Sequence, residues 1–450
     1  MVGAVRVTIL GGGGFRVPLI CGELAGSDLP VDEVVLYDIS PGRLRVIADV
    51  LAGQRPARAY PVRTTTDLDT ALRGADLIFA ALRVGGLDGR VRDERAALEL
   101  GVLGQETAGA GGLRYAARAV PVVSAIARRI AELAGDAWVI SMTNPAGVIT
   151  EVMARDLGQR VIGVCDSPIA LTRRACAAAG IDASLARVAV DYLGLNHLGW
   201  LRALTVDGTD VLPGLLADPG RLAAIEEARL FGPDLLRALG TIPNEYLYWY
   251  YAGAEAMRDV LAAGRTRGEH VRETQLAFYR AAAAAGSPAA AARLWADAND
   301  QRNRSYFAEL RDGERDVADL AAGGYESVAV GLAAALSAPR APGARATPAA
   351  PGASNRLILN VRNGGTVAEL PPDAVIETVC QVDRTGAVPL PVRPPSAHEL
   401  GLMCAVKSCE RDIITAALTG SPAAALRAFA LHPLVGSLTA ARALAAQPFS

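Results

Sequence analysis

The stretch VRVTILGGGGFR, residues 5–16, decides the fold, because it joins a short apolar run to four consecutive glycines. Glycines directly after a buried strand let backbone amides approach a pyrophosphate at the start of a helix. Arg16 replaces the third glycine of the usual GxGxxG pattern, but Asp38 follows about two dozen residues on, where a carboxylate binds ribose hydroxyls. We therefore predict a site for NAD, favoured over NADP, built from Gly11, Gly12, Gly13, Gly14, Phe15 and Asp38.

Strand and helix patterns alternate after this stretch. Short apolar runs predict buried parallel strands at 5–10, 33–37, 76–82, 138–142 and 160–164 and a weaker strand at 62–65, with helices at 41–51, 113–133 and 148–157. This alternation predicts an α/β fold with a Rossmann-type doubly wound parallel sheet, forming an NAD-binding domain over residues 1–167.

The pattern changes from residue 168 onward. Alanine-rich helices are mixed with strand candidates at 188–193, 357–361 and 375–382. We expect a mixed α+β second domain over 168–450, as in lactate and malate dehydrogenases, that binds substrate and metal and mediates oligomerisation. Residues 338–354 are rich in Pro, Ala and Gly and are predicted to form a flexible loop.

The composition excludes several classes of partner. The net charge of -2 gives no general cationic field for nucleic acid or an anionic membrane. Charged residues interrupt every apolar stretch before it could span a bilayer, and the first ten residues fit a strand better than a signal peptide. The six cysteines form no CxxC pair. We expect a soluble, cytoplasmic protein.

Polar residues follow the predicted strands at their carboxyl ends, which is where doubly wound sheets place ligands. Arg83 follows the fourth strand in LRVGG, and Asn144 follows the fifth in SMTNP. Cys165 and Asp166 follow the last one in GVCDSP. Their shared register indicates a ligand site at this edge.

Two of these motifs suggest a metal. Cys165 lies at a predicted helix N-terminus, which lowers the pKa of a thiol, and His197 ends the segment DYLGLNH beside Asn196. Each alone is more often structural, as a buried cysteine or a core histidine. Together they describe a site open to manganese, iron, cobalt or nickel.

Two further segments are candidates for the wall of the site, one rich in glycine and one rich in aromatic residues. GQETAGAGG, residues 104–112, combines close backbone approach with Gln105, Glu106 and Thr107, although it could be only a flexible connection before a helix near residue 113. In IPNEYLYWYY, residues 242–251, helical spacing places Tyr246, Trp249 and Tyr250 on one face, which is usually a core face.

As a set, these motifs resemble glycoside hydrolase family 4, the NAD- and metal-dependent 6-phosphoglucosidases. The resemblance runs over the whole chain and rests on ILGGGG, LYD, LRVGG, GQETAGAGG, SMTNPAG, GVCDSP, GLNHLGW, PNEYLYWYY, VRNGG followed by LPPD, and ALRAFALHPLVG. Many motifs in one order are more specific than any single motif. The family is an exception to the usual two-carboxylate mechanism of glycosidases.

The resemblance implies a redox-neutral cycle. NAD removes hydride from C3 of the sugar, a tyrosine removes the C2 proton, the aglycone leaves, water adds, and the hydride returns. Carried over by motif, Cys165 and His197 look like the metal ligands of a cation, manganese above all. Tyr246 looks like the base and Asp166 like the acid for the leaving oxygen. The remaining polar residues look like substrate contacts: Arg83, which would also meet the cofactor, Asn144, Gln105, Glu106 and Asn196.

Some features depart from the family pattern. This chain reads Cys165, Asp166, Ser167, Pro168, where the α-specific members tend to have Cys-Asp-Met-Pro and the β-specific members Cys-Asn before a Pro. We favour a 6-phospho-β-glucosidase, with the α-anomer and another family 4 activity as alternatives. The segment LAAGGYESVAV, residues 320–330, alters a motif associated with phosphate binding. The family suggests a homodimer or homotetramer acting on a phosphorylated disaccharide or glucoside.

Two other classes share part of the pattern. A 2-hydroxy acid dehydrogenase would have the glycine loop, Asp38 and the strand register, but not a Cys165 and His197 pair with Tyr246. A non-catalytic sensor of NAD or sugar phosphate would keep the loop while the metal and base positions drifted. We expect the thiol of residue 165 and the imidazole of residue 197 to converge on one cation beside the nicotinamide.

Overall fold

The computed structural model describes residues 5–54, 60–181, 188–304, 324–337 and 355–449. The predicted loop at 338–354 lies outside these residues. Thirteen strands are formed within them: β1 Val5–Leu10, β2 Val31–Tyr37, β3 Val62–Thr65, β4 Leu77–Ala80, β5 Trp138–Ser141, β6 Val161–Gly163, β7 Val188–Leu195, β8 Leu198–Val206, β9 Thr209–Asp210, β10 Ile242–Pro243, β11 Arg356–Arg362, β12 Val375–Asp383 and β13 Gly386–Pro389.

The helices of the first half alternate with the strands, as predicted. They are α1 Val17–Gly26, α2 Pro41–Gln54, α3 Leu68–Leu72, α4 Gly86–Leu98, α5 Gly109–Leu133, α6 Ala146–Leu157 and α7 Ser167–Ala178, with a 3-10 turn at Gly158–Arg160.

The second half is mostly helical. Its helices are α8 Leu212–Ala217, α9 Pro219–Leu222, α10 Glu226–Phe231, α11 Pro233–Leu239, a 3-10 turn at Glu245–Leu247, α12 Tyr248–Tyr251, α13 Gly253–Ala262, α14 Arg267–Ala283, α15 Pro288–Arg304, α16 Tyr325–Ser337, α17 Ala397–Thr419, α18 Pro422–Ala430 and α19 Leu438–Ala446.

All strands belong to one sheet. The six strands of the first half pair in parallel in the order β3-β2-β1-β4-β5-β6, the order of a dinucleotide-binding fold. The sheet then continues antiparallel through β11, β12, β7, β8 and β10, with Asn360 of β11 paired to Gly163 of β6. The predicted α/β fold with a mixed second part is confirmed, and the second part extends the same sheet.

Both faces of the sheet are covered, which explains the continuous apolar runs in its strands. Helices α5, α6, α17, α18 and α19 bury one face in the largest apolar cluster. Helices α1, α2 and α16 cover the other. No helix in the described parts of the chain is long and apolar enough to cross a bilayer.

The glycine-rich segment at 104–112 differs from its prediction. Helix α5 begins at Gly109, four residues earlier than expected, so the last glycines are helical. The side chain of Gln105 accepts hydrogen bonds from the amides of Thr107 (2.7 Å) and Ala108 (2.8 Å) and thereby fixes the turn before the helix. Gly111 and Gly112 pack so closely on this turn that a Cβ would meet backbone atoms at 2.1 and 2.4 Å. The segment is an ordered turn and a helix start, and it is not a flexible connection.

Candidate active site

A cavity of about 260 Å³ lies at the carboxyl edge of the parallel strands. It brings together ten of the fifteen residues predicted to bind cofactor, metal or substrate or to act in catalysis: Gly11, Gly14, Phe15, Arg83, Gln105, Glu106, Asn144, Asp166, His197 and Tyr246. The other five, Gly12, Gly13, Asp38, Cys165 and Asn196, are not among the described residues that line it.

The glycine turn after β1 has a backbone that only glycine fits. Gly11 has φ +84°, and a Cβ there would lie 2.4 Å from the carbonyl oxygen of Ala81. The amide of Gly13 donates to Asp38 Oδ2 (3.1 Å), and the amide of Ser40 donates to Asp38 Oδ1 (2.9 Å). The carboxylate at the end of β2 is therefore held beside the turn.

Helices α14 and α15 hold this turn from the second half of the molecule. The Tyr279 hydroxyl donates to the carbonyl of Gly13 (2.7 Å), and the Trp295 indole donates to the carbonyl of Phe15 (2.8 Å). The Phe15 ring packs edge-on against Phe278, with centroids 5.3 Å apart. These aromatic contacts, 266 and 280 residues away in sequence for the two hydrogen bonds, were not predicted.

His197 and Tyr246 form a stacked pair on the cavity wall. Their rings are 3.6 Å apart at an angle of 4°. His197 has φ +62°, an unusual conformation for a residue with a side chain, and its Nδ1 lies 2.6 Å from the Thr107 hydroxyl. Burial lowers the pKa of His197 to about 3, so the imidazole is neutral and offers a lone pair.

Tyr246 is positioned by its own chain. It lies in the 3-10 turn that follows β10, where the Asn244 side chain accepts a hydrogen bond from the Tyr246 amide (3.0 Å). Trp249 also lines the cavity. Tyr250 is not among the described residues that line it, and its ring centroid lies 6.2 Å from that of His432 at an interplanar angle of 37°. All three rings nevertheless lie in or against one apolar cluster, as the predicted single face requires.

The prediction of a low thiol pKa at Cys165 is wrong for the protein without metal. The side chain is fully buried, and burial raises the pKa of Cys165 well above its usual value; the nearby acids Glu377 and Asp166 raise it further. These two effects outweigh the helix N-terminus, where the Ser167 amide lowers the pKa. Convergence of this sulfur with His197 stays a prediction.

A buried carboxylate that the sequence analysis missed lies behind the site. Glu377 of β12 is fully buried and accepts hydrogen bonds from Asn360 Nδ2 (2.8 Å), the Tyr192 hydroxyl (3.2 Å) and Asn196 Nδ2 (3.5 Å). Burial raises the pKa of Glu377 to about 7. Asn196 in turn accepts from the first amide of α6, that of Ala146 (2.9 Å), so it supports the wall from behind. A charged residue inside the apolar run VIETVCQV was the available signal.

Asp166 and Asn144 reach the cavity from neighbouring strand ends. Asp166 immediately precedes α7, and the next residue, Ser167, donates to Glu245 Oε1 (2.6 Å). Asn144 Oδ1 accepts from the hydroxyl of Tyr325 (3.4 Å), the first residue of α16. Tyr325 belongs to the altered LAAGGYESVAV segment, so the described part of that segment does contribute to the wall.

Arg83 is paired with a carboxylate. Glu106 forms ion pairs with Arg83 and with Arg90, the latter at 2.6 Å. Burial works to raise the pKa of Glu106, but the two guanidinium groups outweigh it and lower the value to about 2. Arg90 also pairs with Glu94 at 2.7 Å. The Arg83 side chain is thus oriented by an anion before any ligand binds.

The cavity wall is strongly basic. Its carboxylates are Glu94, Glu106 and Asp166, and its arginines are Arg16, Arg43, Arg83, Arg90, Arg265, Arg267 and Arg302. Such an excess of guanidinium groups suits a ligand with several negative charges.

The described side chains offer few metal donors. No group of three or more His, Cys, Asp or Glu side chains in them is arranged to hold an ion. The neutral imidazole of His197, with its Nδ1 held by Thr107, has the chemistry of a ligand to a transition metal through Nε2. A cation here would need further oxygen ligands from a bound molecule.

Known proteins share this architecture. Models of the family 4 glycosyl hydrolases and of their C-terminal domain match residues 6–180 and 192–435. A probable 6-phospho-beta-glucosidase of Bacillus subtilis (strain 168) is 31% identical over 97% of this chain and 93% of its own length. A 6-phospho-alpha-glucosidase of Leptotrichia buccalis is 27% identical, covering 97% and 95% of the two chains.

A solved structure agrees with these sequence matches. The 6-phospho-beta glucosidase of Thermotoga maritima, solved with manganese, NAD+ and glucose-6-phosphate, superposes with a TM-score of 0.78 at 26% identity, covering 98% of this chain and 96% of that one. The resemblance found in the motifs is confirmed, and the chain belongs to family 4 of the glycosyl hydrolases.

Proposed function

We propose that this glycosidase hydrolyses 6-phospho-β-glucosides to glucose 6-phosphate and an aglycone, using NAD and a divalent metal. One observation carries the proposal: a single cavity joins the glycine turn, the His197 and Tyr246 pair, Asp166 and an excess of arginines. The matching relatives are glycosidases of 6-phosphorylated glucosides, and one was solved with NAD+, manganese and glucose-6-phosphate. The dehydrogenase alternative has no support, because both halves of the chain match family 4.

The glycine turn fits a dinucleotide. The turn at Gly11 packs so closely on the backbone of Ala81 that only glycine fits, and Asp38 is held beside the turn as an acceptor for ribose hydroxyls. Bound NAD supplies a reversible hydride acceptor for C3 of the sugar, so the cofactor ends each cycle unchanged.

The donor atoms of the predicted metal ligands suit a divalent transition metal. His197 and Cys165 would hold the cation, although the buried Cys165 thiol must lose its proton on binding. A divalent metal supplies Lewis-acid polarisation of the sugar oxygens at C2 and C3.

The protein's own residues move the protons. Tyr246, fixed by Asn244 and stacked on His197, would remove the proton from C2 once C3 is a ketone. Asp166 would protonate the oxygen of the departing aglycone, and water would then add at C1. Arg83, oriented by Glu106, together with Asn144 and Gln105, would position the sugar.

The β-anomer is the finer part of the proposal. It is supported by the segments GQETAGAGG and PNEYLYWYY, which resemble those of β-specific members, whereas α- and β-named relatives match at similar identity, 27% and 31%. The Cys-Asp-Ser-Pro sequence at 165–168 matches neither group's usual motif and therefore does not decide between them.

The test uses four p-nitrophenyl glucosides: α and β, each with and without the 6-phosphate. Purified protein with NAD+, Mn²⁺ and a reductant should hydrolyse the phosphorylated β-substrate fastest, with no net formation of NADH. Faster hydrolysis of the α-substrate would overturn the assignment of β-specificity. No hydrolysis of any of the four substrates would overturn the proposed function.

We also propose a homodimer or homotetramer, as the family resemblance suggests. Light scattering of the purified protein would show its mass, and a monomer at micromolar concentration would contradict this.

A further inference from the structure

We propose that the hydrogen bond between Ser167 and Glu245 positions the acid and the base of the reaction relative to each other. Ser167 directly follows Asp166, and Glu245 directly precedes Tyr246. Neither Ser167 nor Glu245 is among the described residues that line the cavity, so each is a positioning residue that acts through its neighbour in the chain. The inference rests on the proposed function, because the roles of Asp166 and Tyr246 belong to it.

The acid and the base come from distant parts of the sheet. Asp166 follows β6, the last parallel strand, and Tyr246 follows β10, at the end of the antiparallel part. The strands β11, β12, β7 and β8 lie between β6 and β10, and at about 4.8 Å per spacing the path through the sheet is roughly 24 Å long. Small changes in twist or spacing would add up along this path, so a direct contact between the two segments fixes their separation better.

A buried hydrogen bond makes this direct contact. The Ser167 hydroxyl donates to Glu245 Oε1 at 2.6 Å, and the two residues are 5% and 8% exposed. The other carboxyl oxygen, Oε2, is buried and has no hydrogen-bond partner in the described part of the chain. The Ser167 hydroxyl therefore orients this carboxyl group, which belongs to the first residue of the 3-10 turn that carries Tyr246. A methionine, as in the Cys-Asp-Met-Pro motif, has no hydroxyl to donate here.

Both ends of the bond are anchored. Ser167 is the first residue of α7, and seven residues later, on the same helix face, Arg174 donates to Glu227 of α10 (3.0 Å). On the other side, the amide of Asn244 donates to the carbonyl of Gly199 in β8 (3.0 Å). A bond between two anchored segments transmits the position of one to the other.

The bond does not depend on the charge of Glu245. Burial and the neighbouring Glu227 raise the pKa of Glu245 to about 7, while the Ser167 hydroxyl and Arg174 act in the opposite direction. A hydroxyl can donate to a carboxylate, and it can donate to or accept from a carboxylic acid. The two segments are therefore connected in either protonation state.

The test compares Ser167→Ala with Thr172→Val. Thr172 is the matched control, because its hydroxyl donates within the same helix, to the carbonyl of Pro168 (2.8 Å). Both variants are assayed with NAD+, Mn²⁺ and the p-nitrophenyl 6-phosphoglucoside that the wild type hydrolyses fastest. Ser167→Ala should lower kcat roughly 10- to 100-fold, as expected for a displacement of about 1 Å between catalytic groups. KM in Ser167→Ala, and both constants in Thr172→Val, should change less than about threefold, which is below the value of one hydrogen bond.

Two further measurements separate positioning from a local structural role. Ser167 adjoins the acid, but Ser167→Ala should increase the isotope effect of deuterium at C2, because a displaced base makes proton removal limit the rate more. Glu245 adjoins the base, but Glu245→Leu should slow a methyl 6-phosphoglucoside more than the p-nitrophenyl compound, because methoxide is the poorer leaving group and depends more on the acid. Glu245→Gln keeps an acceptor for the Ser167 hydroxyl and should retain wild-type behaviour in both measurements.

The inference would be overturned by an unchanged kcat in Ser167→Ala, by an equal loss in Thr172→Val, or by an unchanged isotope effect at C2 in Ser167→Ala. If Ser167→Ala does not fold, the same comparison is made in the Glu245→Gln background, where loss of the hydroxyl leaves no buried carboxylate without a partner.

Wild-type protein that hydrolyses none of the glucosides would refute the proposed function, and crystal structures would then test the Ser167–Glu245 bond by itself. In Ser167→Ala the Tyr246 ring should move from its position 3.6 Å from the His197 ring. An unchanged stack of these two rings would overturn the inference.

Discussion

Two buried clusters of charge in this protein look alike and lie in different places. The cavity cluster consists of Arg83, Arg90, Glu94 and Glu106. The core cluster consists of Glu151, Lys407, Glu410 and Arg411, in which the lysine contacts Glu151 at 3.2 Å and Glu410 at 2.5 Å.

The two clusters differ in what else they touch. In the core cluster, Glu151 of α6 also accepts the amide of Val375 (2.9 Å), so it ties two helices to β12. In the cavity cluster, the Arg83 side chain is one-third exposed, at 34%, and faces the space where a ligand fits. Similar ion pairs therefore have different roles. Those that are fully enclosed stabilise the fold, and those that face the cavity orient side chains toward a ligand.

The aromatic segment 242–251 lies beside both clusters. A substitution on the side of this segment that faces the cavity should have the largest effect on activity. Tyr246→Phe removes the proposed base and should lower kcat roughly 10²- to 10⁴-fold, with NAD+ binding and the thermal midpoint nearly unchanged. Tyr248→Phe, a partly buried tyrosine two residues on, is the control and should keep full turnover. Substantial turnover by Tyr246→Phe would remove the residue from its role.

Breaking the core cluster should affect stability and not binding. Lys407→Met leaves two buried carboxylates without their shared cation and should reduce the free energy of unfolding by about 3–5 kcal/mol. Urea unfolding measures this loss. Folded Lys407→Met protein should keep the wild-type KM; a changed KM would mean that the two clusters are not separate.

At acidic pH, protonation of His432, which lies beside the core cluster, should lower the free energy of unfolding. Burial lowers the pKa of His432 to about 4, below its usual 6.5, and its Nδ1 accepts the Leu434 amide (3.1 Å). The unfolded chain takes up the proton more readily, so this contribution is complete above pH 6.5 and is lost as the pH falls toward 4. It is on the order of 3 kcal/mol.

The variant His432→Asn isolates this contribution, because asparagine can accept the same amide without titrating. Unfolding free energies at several pH values between 4 and 7 should depend less on pH in the variant. An identical dependence in both proteins would assign the acid sensitivity to other groups.

A surface pair between α17 and α18 should have the smallest effect. Arg427 pairs with Asp412 of α17 at 2.5 Å, but its side chain is 54% exposed. Arg427→Ala should change the unfolding free energy by no more than about 1 kcal/mol. A loss as large as that of Lys407→Met would show that burial does not separate these pairs.

The first half of the fold followed closely from the sequence. β1 has the predicted bounds, because a strand covered on both faces must be apolar along its whole length, and the exposed edge strand β3 also has them. The alanine-rich run at 281–292 would fit a single helix, but it is interrupted between Ala283 and Pro288. The GSP sequence there breaks the helix.

The site was predictable where its residues follow strands, and not where it depends on distant contacts. The positions of Arg83, Asn144 and Asp166 follow from sheet topology. The contacts of Tyr279 and Trp295 with the glycine turn depend on how α14 and α15 pack on the first half, and no local pattern encodes that. The thiol environment of Cys165 likewise depends on Glu377, more than 200 residues later.

The core cluster has one practical consequence. Lys407 is the only lysine in the sequence, and its side chain is 3% exposed. Reagents that acylate amines therefore meet no accessible lysine side chain on the native protein. Labelling at residue 407 would report, from a single position, how often α17 separates from α6.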